Sequence, residues 1–516
     1  MNEKSKNDRP ARPRAASGRP GGPRDRGAKN GDRPQRSHRS GPDRGGPDRA
    51  KGDRRPDRGP VKPGRDNDRP KSDEAPARKP LPAGLESRYA ALEILDRVHE
   101  GATLEDALAR TRPFENLEGS DRGFARALAS ETLRRRGAID HIIGGYLDRP
   151  LPKKSARVMD ILRIAAAQSL LMDTPPHAAV STSVDLANDR AETKGYSSLV
   201  NAIARKIAAD GPAILEKLPA RTDTPSWLWR SWERAYGPNG VKAIAEAHRK
   251  PAPLDLSFKP GEDLEAWRDR FVEAGNDARI MPTGTIRMSR ISDVSSLPGY
   301  DDGAWWIQDL AASLPAKLLG DVAGKRVFDL CSAPGGKTLQ LAALGGKVTS
   351  LDKSGARLER VVTNLKRSDL TAFLVEEDVL RYRPEEKADA ILLDAPCTAT
   401  GTIRRHPDIP WNKGETTMTA LADLQGKMID HAISLLKPGC VFVYCVCSLQ
   451  REEGEVQAKA ALKRNPSIER VPVRPEEIGG LEKLINRDGD LRTTPAMLSD
   501  DGGLDGFFAA RFKHKD

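Results

Sequence analysis

Hydrophobic positions follow three successive patterns along the chain. Across residues 1–80 they are nearly absent, because apart from seven alanines only Met1 and Val61 are apolar. From about residue 86 apolar residues recur every three or four positions. They do so in YAALEILDRV (89–98), FARALASETLRRR (124–136), ARVMDILRIAAAQSLLM (156–172), VSTSVDLAND (180–189) and YSSLVNAIARKI (196–207). Short connections with Pro, such as DRPLPKK (148–154) and DTPP (173–176), separate these runs. The spacing predicts an all-helical domain over 86–220. Residues 221–320 mix two periods. SWLWRSWERAYG and GVKAIAEAHRK predict helices, LDLSFKP and TIRMSRI predict strands, and a short strand at Trp305–Ile307 leads into an amphipathic helix. A small mixed α+β domain is expected there, with Trp305 and Trp306 in its core.

From Lys325 short apolar runs alternate with helical ones. KRVFDLC (325–331), KVTSLD (347–352), TAFLVEED (371–378), KADAILLDAP (387–396) and CVFVYCV (440–446) read as strands. TLQLAAL (338–344), ARLERVVTNLKR (356–367) and TALADLQGKMIDHAISLLKPG (419–439) read as the intervening helices. Such alternation over 321–516 predicts a doubly wound, mainly parallel α/β sheet, which binds ligands at the carboxyl ends of its strands.

Charge divides the chain along the same boundaries. Residues 1–80 hold 24 Lys and Arg against 12 Asp and Glu, whereas the remaining 436 hold 61 against 62. The entire basic excess of the protein, +11, therefore belongs to a tail with 13 Pro and 11 Gly. So little apolar surface cannot offset the entropy of ordering, and residues 1–85 are expected to be a disordered arm suited to auxiliary contact with nucleic-acid phosphates. The near-neutral remainder must bind a polyanion through local patches, for which Arg134, Arg135 and Arg136, with Lys153 and Lys154, are candidates.

Several classes are excluded. No run of 18 apolar residues exists, so neither a spanning helix nor a membrane partner is expected. The start MNEKSKNDRPARPR has no apolar core and does not read as a secretory signal. Five cysteines in 516 residues are too few for an extracellular disulfide framework, and the eight His fall in no zinc-ligand spacing, so a reducing cytoplasm and no metal are expected.

Candidate chemistry gathers at strand ends. The turn Ala333-Pro334-Gly335-Gly336-Lys337 has adjacent glycines that admit close approach of a ligand to the backbone, but neither the GxxxxGK[ST] nor the GxGxxG order. Asp352, Asp378 and Asp394 end the next three strands, where carboxylates can line one cleft and a ribose can be held. The set suits a nucleoside cofactor without a pyrophosphate better than NAD or ATP. Cys397 and Cys447 end neighbouring strands and are candidates for thiolate chemistry. Cys440 and Cys445, in or beside the last strand, read as small apolar fillers.

DLCSAPGGKT (329–338), LDAPCTATGTIRRHPDIPW (393–411), YCVCSLQREEGE (444–455) and DGFFAARF (505–512) closely resemble signatures of the RNA cytosine-C5 methyltransferases that use S-adenosyl-L-methionine. With LVNAIARKI (199–207), similar to the closing motif of a NusB-like domain, and GAWWIQD (303–309), the order resembles the RsmB/Sun/Fmu family acting on bacterial 16S rRNA. The likeness covers roughly 86–516.

This resemblance implies a NusB-like RNA-binding domain, a small linker domain and a Rossmann-like methyltransferase domain. It implies that Cys331, Ser332 and the turn through Lys337 wrap the cofactor. Asp352 matches the acid on its ribose, Asp378 the residue beside adenine, and Asp394 the acid between cofactor and base. Cys447 matches the nucleophile that adds at cytosine C6, and Cys397 the cysteine that helps release the product. Arg404 and Arg405 are then expected on phosphate and His406 beside the base. Val446 stands where relatives commonly have Thr, and Thr398-Ala399-Thr400 where they often have Ser-Gly-Thr. The expected partner is 16S rRNA and the expected state a monomer without an obligate protein partner. The alternatives are the same reaction on tRNA or another RNA, and an RNA-binding antitermination-like regulator with an inactive catalytic half. Retention of Gly335, Gly336, Asp352, Asp394, Cys397 and Cys447 argues against the second.

Overall fold

The computed structural model describes residues 84–289 and 294–516. The tail expected over 1–85 lies outside the described residues up to residue 83. The described residues belong to one compact unit, which begins with a helical layer. Helix Ala156–Leu171 runs through its centre and is buried at nearly every position from Val158 to Gln168. Helices Leu85–His99, Gly119–Arg134, Arg136–Gly144, Pro176–Asp189 and Ser197–Lys217 surround it. Each turns the apolar face read from the sequence inward: Leu92, Leu95 and Val98 from the first, Leu128 and Leu133 from the second, Val200, Ile203 and Ile207 from the last. Arg163 on the central helix is nearly buried and is matched by Asp140, in a two-pronged contact, and by Asp160. Neutralisation of this kind makes a buried guanidinium tolerable.

The two helical runs expected after residue 225 form one element, Ser226–His248, broken at Gly237, whose φ of 74° is left-handed. A small antiparallel sheet follows. Its strands β1 (Leu254–Phe258), β2 (Arg279–Ile280), β3 (Ile286–Met288) and β4 (Trp305–Ile307) lie in the order β2-β3-β1-β4. Successive side chains on a strand face opposite ways, and β4 uses this to join two cores. Trp305 packs with Trp267 and Phe271 of the small domain, while Trp306 packs with Leu358, Val361 and Leu365 of the next.

The third region holds an eight-stranded sheet. β5 (Arg326–Leu330), β6 (Lys347–Asp352), β7 (Phe373–Glu376), β8 (Ala388–Asp394) and β9 (Leu436–Val446) pair in parallel, and β10 (Ile468–Arg470), β11 (Leu491–Arg492) and β12 (Phe508–His514) add an antiparallel edge. The path is β10-β12-β9-β8-β5-β6-β7, with β11 beside β12. From β5 the chain winds outward through β6 and β7, then returns to the other side of β5 as β8. The ligand-binding switch point of such a sheet therefore lies at the carboxyl ends of β5 and β8. The five expected strands are all present. The helix expected over 419–439 ends at Ser434, and Leu436 to Gly439 already belong to β9, because Pro438 cannot continue a helix. Among the described residues, no helix is long and apolar enough to cross a membrane.

Candidate active site

β5 ends in Asp329 and Leu330, and the loop from Cys331 onward feeds helix Gly336–Ala343. Cys331 and Gly335 both take left-handed φ, 63° and 105°, and a Cβ at Gly335 would come within 3.1 Å of Val361 Cγ1. Gly335 thus serves a turn pressed against helix Gly355–Arg367, which carries Val361. Ser332 is fixed from below: its amide donates to Leu351 O at 3.0 Å and its hydroxyl accepts from Ser350 at 2.7 Å. Asp329 is fully buried. Its Oδ2 accepts from Thr338 Oγ1 at 2.6 Å, its Oδ1 has no partner, and burial raises its pKa to about 7.

A cleft of about 380 Å³ opens here, with Ser332, Ala333, Gly336, Lys337 and Asp394 on one side and Trp306 and Gln308 on the other. Lys337 Nζ donates to Asp394 Oδ2 at 2.7 Å, joining the β5 loop to the end of β8. Burial alone would lower the lysine's pKa, but Asp394 more than reverses this and holds it above its ordinary value. Asp352, at the end of β6, accepts from the amides of Ala333 at 3.3 Å and Ser354 at 3.1 Å, and Arg357 Nη1 lies 3.1 Å away. Asp378 sits beyond β7, where its Oδ1 accepts from Leu380 N at 2.9 Å and closes a local turn. Neither Asp352 nor Asp378 lines the 380 Å³ cleft. Among the described residues, no group of three His, Cys, Asp or Glu side chains is placed to hold a metal.

Cys397 follows β8 and Cys447 follows β9. Parallel register, with Asp394 opposite Cys445, brings the two loops side by side and sets the Sγ atoms 3.5 Å apart. The contact with Cys447, and then burial, push the Cys397 thiol well above its ordinary pKa. Cys445 is buried in the core beneath, its Sγ 3.6 Å from Asp394 Oδ1, and Cys440 packs at the rim of another cluster. The chain between Cys397 and Gly401 is tied to the Cys447 loop, since Gly401 N donates to Cys447 O at 3.0 Å. Ala399 adopts a left-handed φ of 57° in this turn.

One residue of this site was not singled out by the sequence. Glu453 has no solvent exposure, and its carboxylate receives Thr398 N at 2.9 Å, Gln425 Nε2 at 3.2 Å, and the hydroxyls of Thr398 and Ser448. Glu452, Glu453 and Glu455 stand together in the chain, and neither spacing nor composition tells which turns inward.

The expected phosphate-binding arginines have other partners. Arg404 is 4% exposed and donates to Pro251 O and Gly502 O. Arg405 donates to Asp309 Oδ2 at 2.6 Å and Asp505 Oδ2 at 2.9 Å. Arg134 is buried and donates to Arg404 O at 2.8 Å, and Arg135 pairs with Asp223 at 2.9 Å. Arg136 lies 3.7 Å from Asp140 and over the Trp411 ring. His406 Nδ1 is 3.9 Å from Glu105. Arg134, Arg404 and Arg405 tie the helical region, the small sheet and the eight-stranded sheet together, so the expectation that Arg134 and Arg404 face phosphate is corrected. Arg404 and Arg134 are shielded from solvent, and the charges of Arg405 and Arg135 are met by internal carboxylates.

Comparison with known proteins follows the same division of the chain. A family described as 16S rRNA methyltransferase RsmB/F matches residues 316–513, and the NusB family matches residues 85–209. Over 390 residues the chain is 32% identical to the ribosomal RNA small subunit methyltransferase B of Citrobacter koseri, covering 73% of this chain and 90% of that protein. The solved structure of PH0851 is similar with a TM-score of 0.66 at 21% identity, over 84% of this chain and 100% of that one. That of NSun6 from Pyrococcus horikoshii with SFG is similar with a TM-score of 0.50 at 19% identity, over 57% and 98% respectively. At these identities both structures speak to the fold.

Proposed function

The chain belongs to the RsmB/F family of 16S rRNA methyltransferases with a NusB-like helical domain, and from that premise we propose that it forms 5-methylcytosine in 16S rRNA through a covalent adduct with Cys447. The observation that carries this reading is the 3.5 Å separation of the Cys397 and Cys447 sulfurs beside the cleft that holds Lys337 and Asp394. One thiol would suffice for a nucleophile. A second within contact suits a reaction in which the first must also be released.

S-adenosyl-L-methionine, when bound, supplies a methyl group on an electrophilic sulfonium. The residues present fit it. Asp329 Oδ1 is a buried oxygen without a protein partner at the wall of the cleft, suited to a donor from the amino-acid portion. Helix Gly336–Ala343 begins at that wall, and the first turn of a helix carries N–H groups with no acceptor of its own, which favours a carboxylate. Asp352, two of whose contacts are backbone amides, fits the ribose hydroxyls. Asp378 is assigned beside the adenine; like Asp352, it already accepts a local backbone amide on Oδ1.

Cytosine C5 is a poor nucleophile. Cys447 Sγ, as thiolate, adds to C6, and the electron pair of the C5–C6 bond becomes available at C5 to take the methyl. Asp394 faces both the cleft and Lys337, and its carboxylate has lone pairs beyond those used here to accept from the cytosine N4 amino group and so orient the base. Cys397, as thiolate or through a base it positions, then takes the C5 proton. The C–H pair re-forms the C5–C6 double bond, and the S–C6 pair returns to Cys447. Held in contact, the two sulfurs gain the advantage of prearranged geometry. The base must be unpaired or flipped to reach them. A reducing compartment, as in the cytoplasm, keeps such a pair as thiols.

Bisulfite sequencing of rRNA and tRNA from a deletion strain tests the reading. One cytosine in 16S rRNA should lose its protection. Loss in tRNA alone, or nowhere, overturns the assignment.

A further inference from the structure

We infer that Glu453 is a positioning residue that couples the two cysteines, holding Cys397 in register with Cys447 so that product release keeps pace with adduct formation. The inference rests on the two-thiol reading above and adds a residue to it.

Thr398 follows Cys397 and Ser448 follows Cys447. The single carboxylate of Glu453 accepts from both, taking the Thr398 amide on Oε1 and the hydroxyls of Thr398 and Ser448 on Oε2. The two hydroxyls also touch each other, 3.1 Å apart. Gln425, on the long helix behind β8, adds a donor to Oε1 and sends another hydrogen to Pro396 O at 2.8 Å, one residue before Cys397. Tyr444 hydroxyl donates to the backbone oxygen of Glu453 and fixes the residue to β9. Both β-strand ends that carry a thiol are thereby pinned to one buried group.

Four donors face this carboxylate, which suits the acceptor-only ionised form, although burial pushes its pKa upward. Nothing of Glu453 is exposed, so it acts on the reaction through the loops. The consequence for the two half-reactions is unequal. Addition at C6 needs Cys447 alone, whereas release needs a proton taken at C5 with Cys397 at the correct separation. Loosening the clamp therefore slows the second step more than the first. The charge has a further effect. Cys397 is faced by Cys447, Glu453, Asp394 and Tyr444, and loss of the Glu453 charge brings its thiol pKa down.

The test uses the full-length enzyme with 16S rRNA or its small-subunit particle and S-adenosyl-L-methionine. Glu453→Gln keeps the shape and removes the charge. It should turn over about tenfold more slowly while the steady-state fraction of RNA-linked enzyme on a denaturing gel rises, as expected for a slowed elimination. The affinity for S-adenosyl-L-methionine should change less than about twofold. The pH profile of release should move to lower pH. If Glu453→Gln does not fold, the double variant Thr398→Ala, Ser448→Ala removes the two hydroxyl arms and should show the same accumulation. Adduct and turnover falling in equal proportion, or wild-type turnover, overturns the clamp. Cys397→Ala is the control for the underlying reading. Adduct in Cys397→Ala but not in the Glu453 variant rejects the clamp alone, while no adduct in either rejects the two-thiol mechanism itself.

Discussion

Lys337 Nζ and Asp394 Oδ2 form an ion pair of 2.7 Å across the gap between the loop after β5 and the end of β8. The lysine side chain is 10% exposed and the aspartate 27%. Lys337 also lies over the Phe507 ring, 5.0 Å from its centroid. Removing one partner of such a pair leaves the other charge largely unmatched, at a cost of about 3 kcal/mol. Lys337→Met should lower the melting temperature and weaken binding of S-adenosyl-L-methionine by more than tenfold, a loss of roughly 1.4 kcal/mol. Isothermal titration read beside thermal melting separates the two effects. Unchanged affinity would place the cofactor away from this pair.

The two cysteines should fail in different ways. Cys447→Ala removes the proposed nucleophile and should abolish methyl transfer with cofactor binding intact. Cys397→Ala leaves addition possible and should accumulate enzyme attached to RNA, seen as a slow band that survives denaturation. Full activity of the first variant would sink the nucleophile assignment. Absence of the band in the second, under turnover conditions, would remove Cys397 from release.

Ala399 occupies a left-handed φ of 57° in the turn that carries Cys397 into Gly401. A Cβ in that region is strained by about 1 kcal/mol, and glycine carries none. Glycine gains entropy in the unfolded chain, which offsets part of the benefit. Ala399→Gly should therefore be neutral to stabilising, by less than about 1 kcal/mol. Ala399 packs at the rim of the cluster of Trp229, Trp232 and Ile403; chemical denaturation measures the balance, and a loss of stability would mean that this methyl contact outweighs the backbone strain.

Asp490 is buried, neither carboxylate oxygen has a hydrogen-bond partner, and Arg470 Nη1 lies 3.4 Å away. Burial raises its pKa to about 7, against the pull of Arg470. The folded state therefore holds a proton that the unfolded chain releases near the ordinary value of 3.8. Stability falls as pH rises through this window and the penalty is complete above pH 7. Asp490→Asn removes the titration. Its melting temperature should exceed that of the wild type at pH 8 and approach or fall below it at pH 4.5, so that the difference changes with pH.

What could be read from the sequence was what has a period or a motif. The five parallel strands followed from short apolar runs, and the register that places Cys397 beside Cys447 follows once they sit three residues past β8 and one past β9. Trp305 and Trp306 were expected in a core, but that they enter two different cores depends on which strand pairs with β4. β10, β11 and β12 were not assigned, being short or embedded in a motif read for its chemistry. Glu453 and Arg404 were illegible for a common reason. A charged residue is presumed solvated from sequence, and only long-range packing, here against Thr398 or Pro251, shows otherwise.

The burial of the arginines decides where the affinity for RNA can originate. Arg405 is bracketed by Asp309 and Asp505, and burial raises the Asp505 pKa to about 7. Arg405→Gln takes from two buried carboxyls the cation that hydrogen-bonds both, costing about 3 kcal/mol, and more at pH 8 than at pH 5 because protonation relieves it. Each phosphate neutralised by a protein cation steepens the fall of affinity with salt. Since Arg405 already spends its charge internally, its loss should lower the melting temperature while the slope of log affinity against log salt stays the same. Removing residues 1–80, with a charge of +12, should do the opposite: leave the melting temperature, flatten the slope, and keep the same cytosine methylated. Filter binding across a salt series, with melting curves for both variants, measures each quantity. A flattened slope in Arg405→Gln would return that guanidinium to the RNA surface.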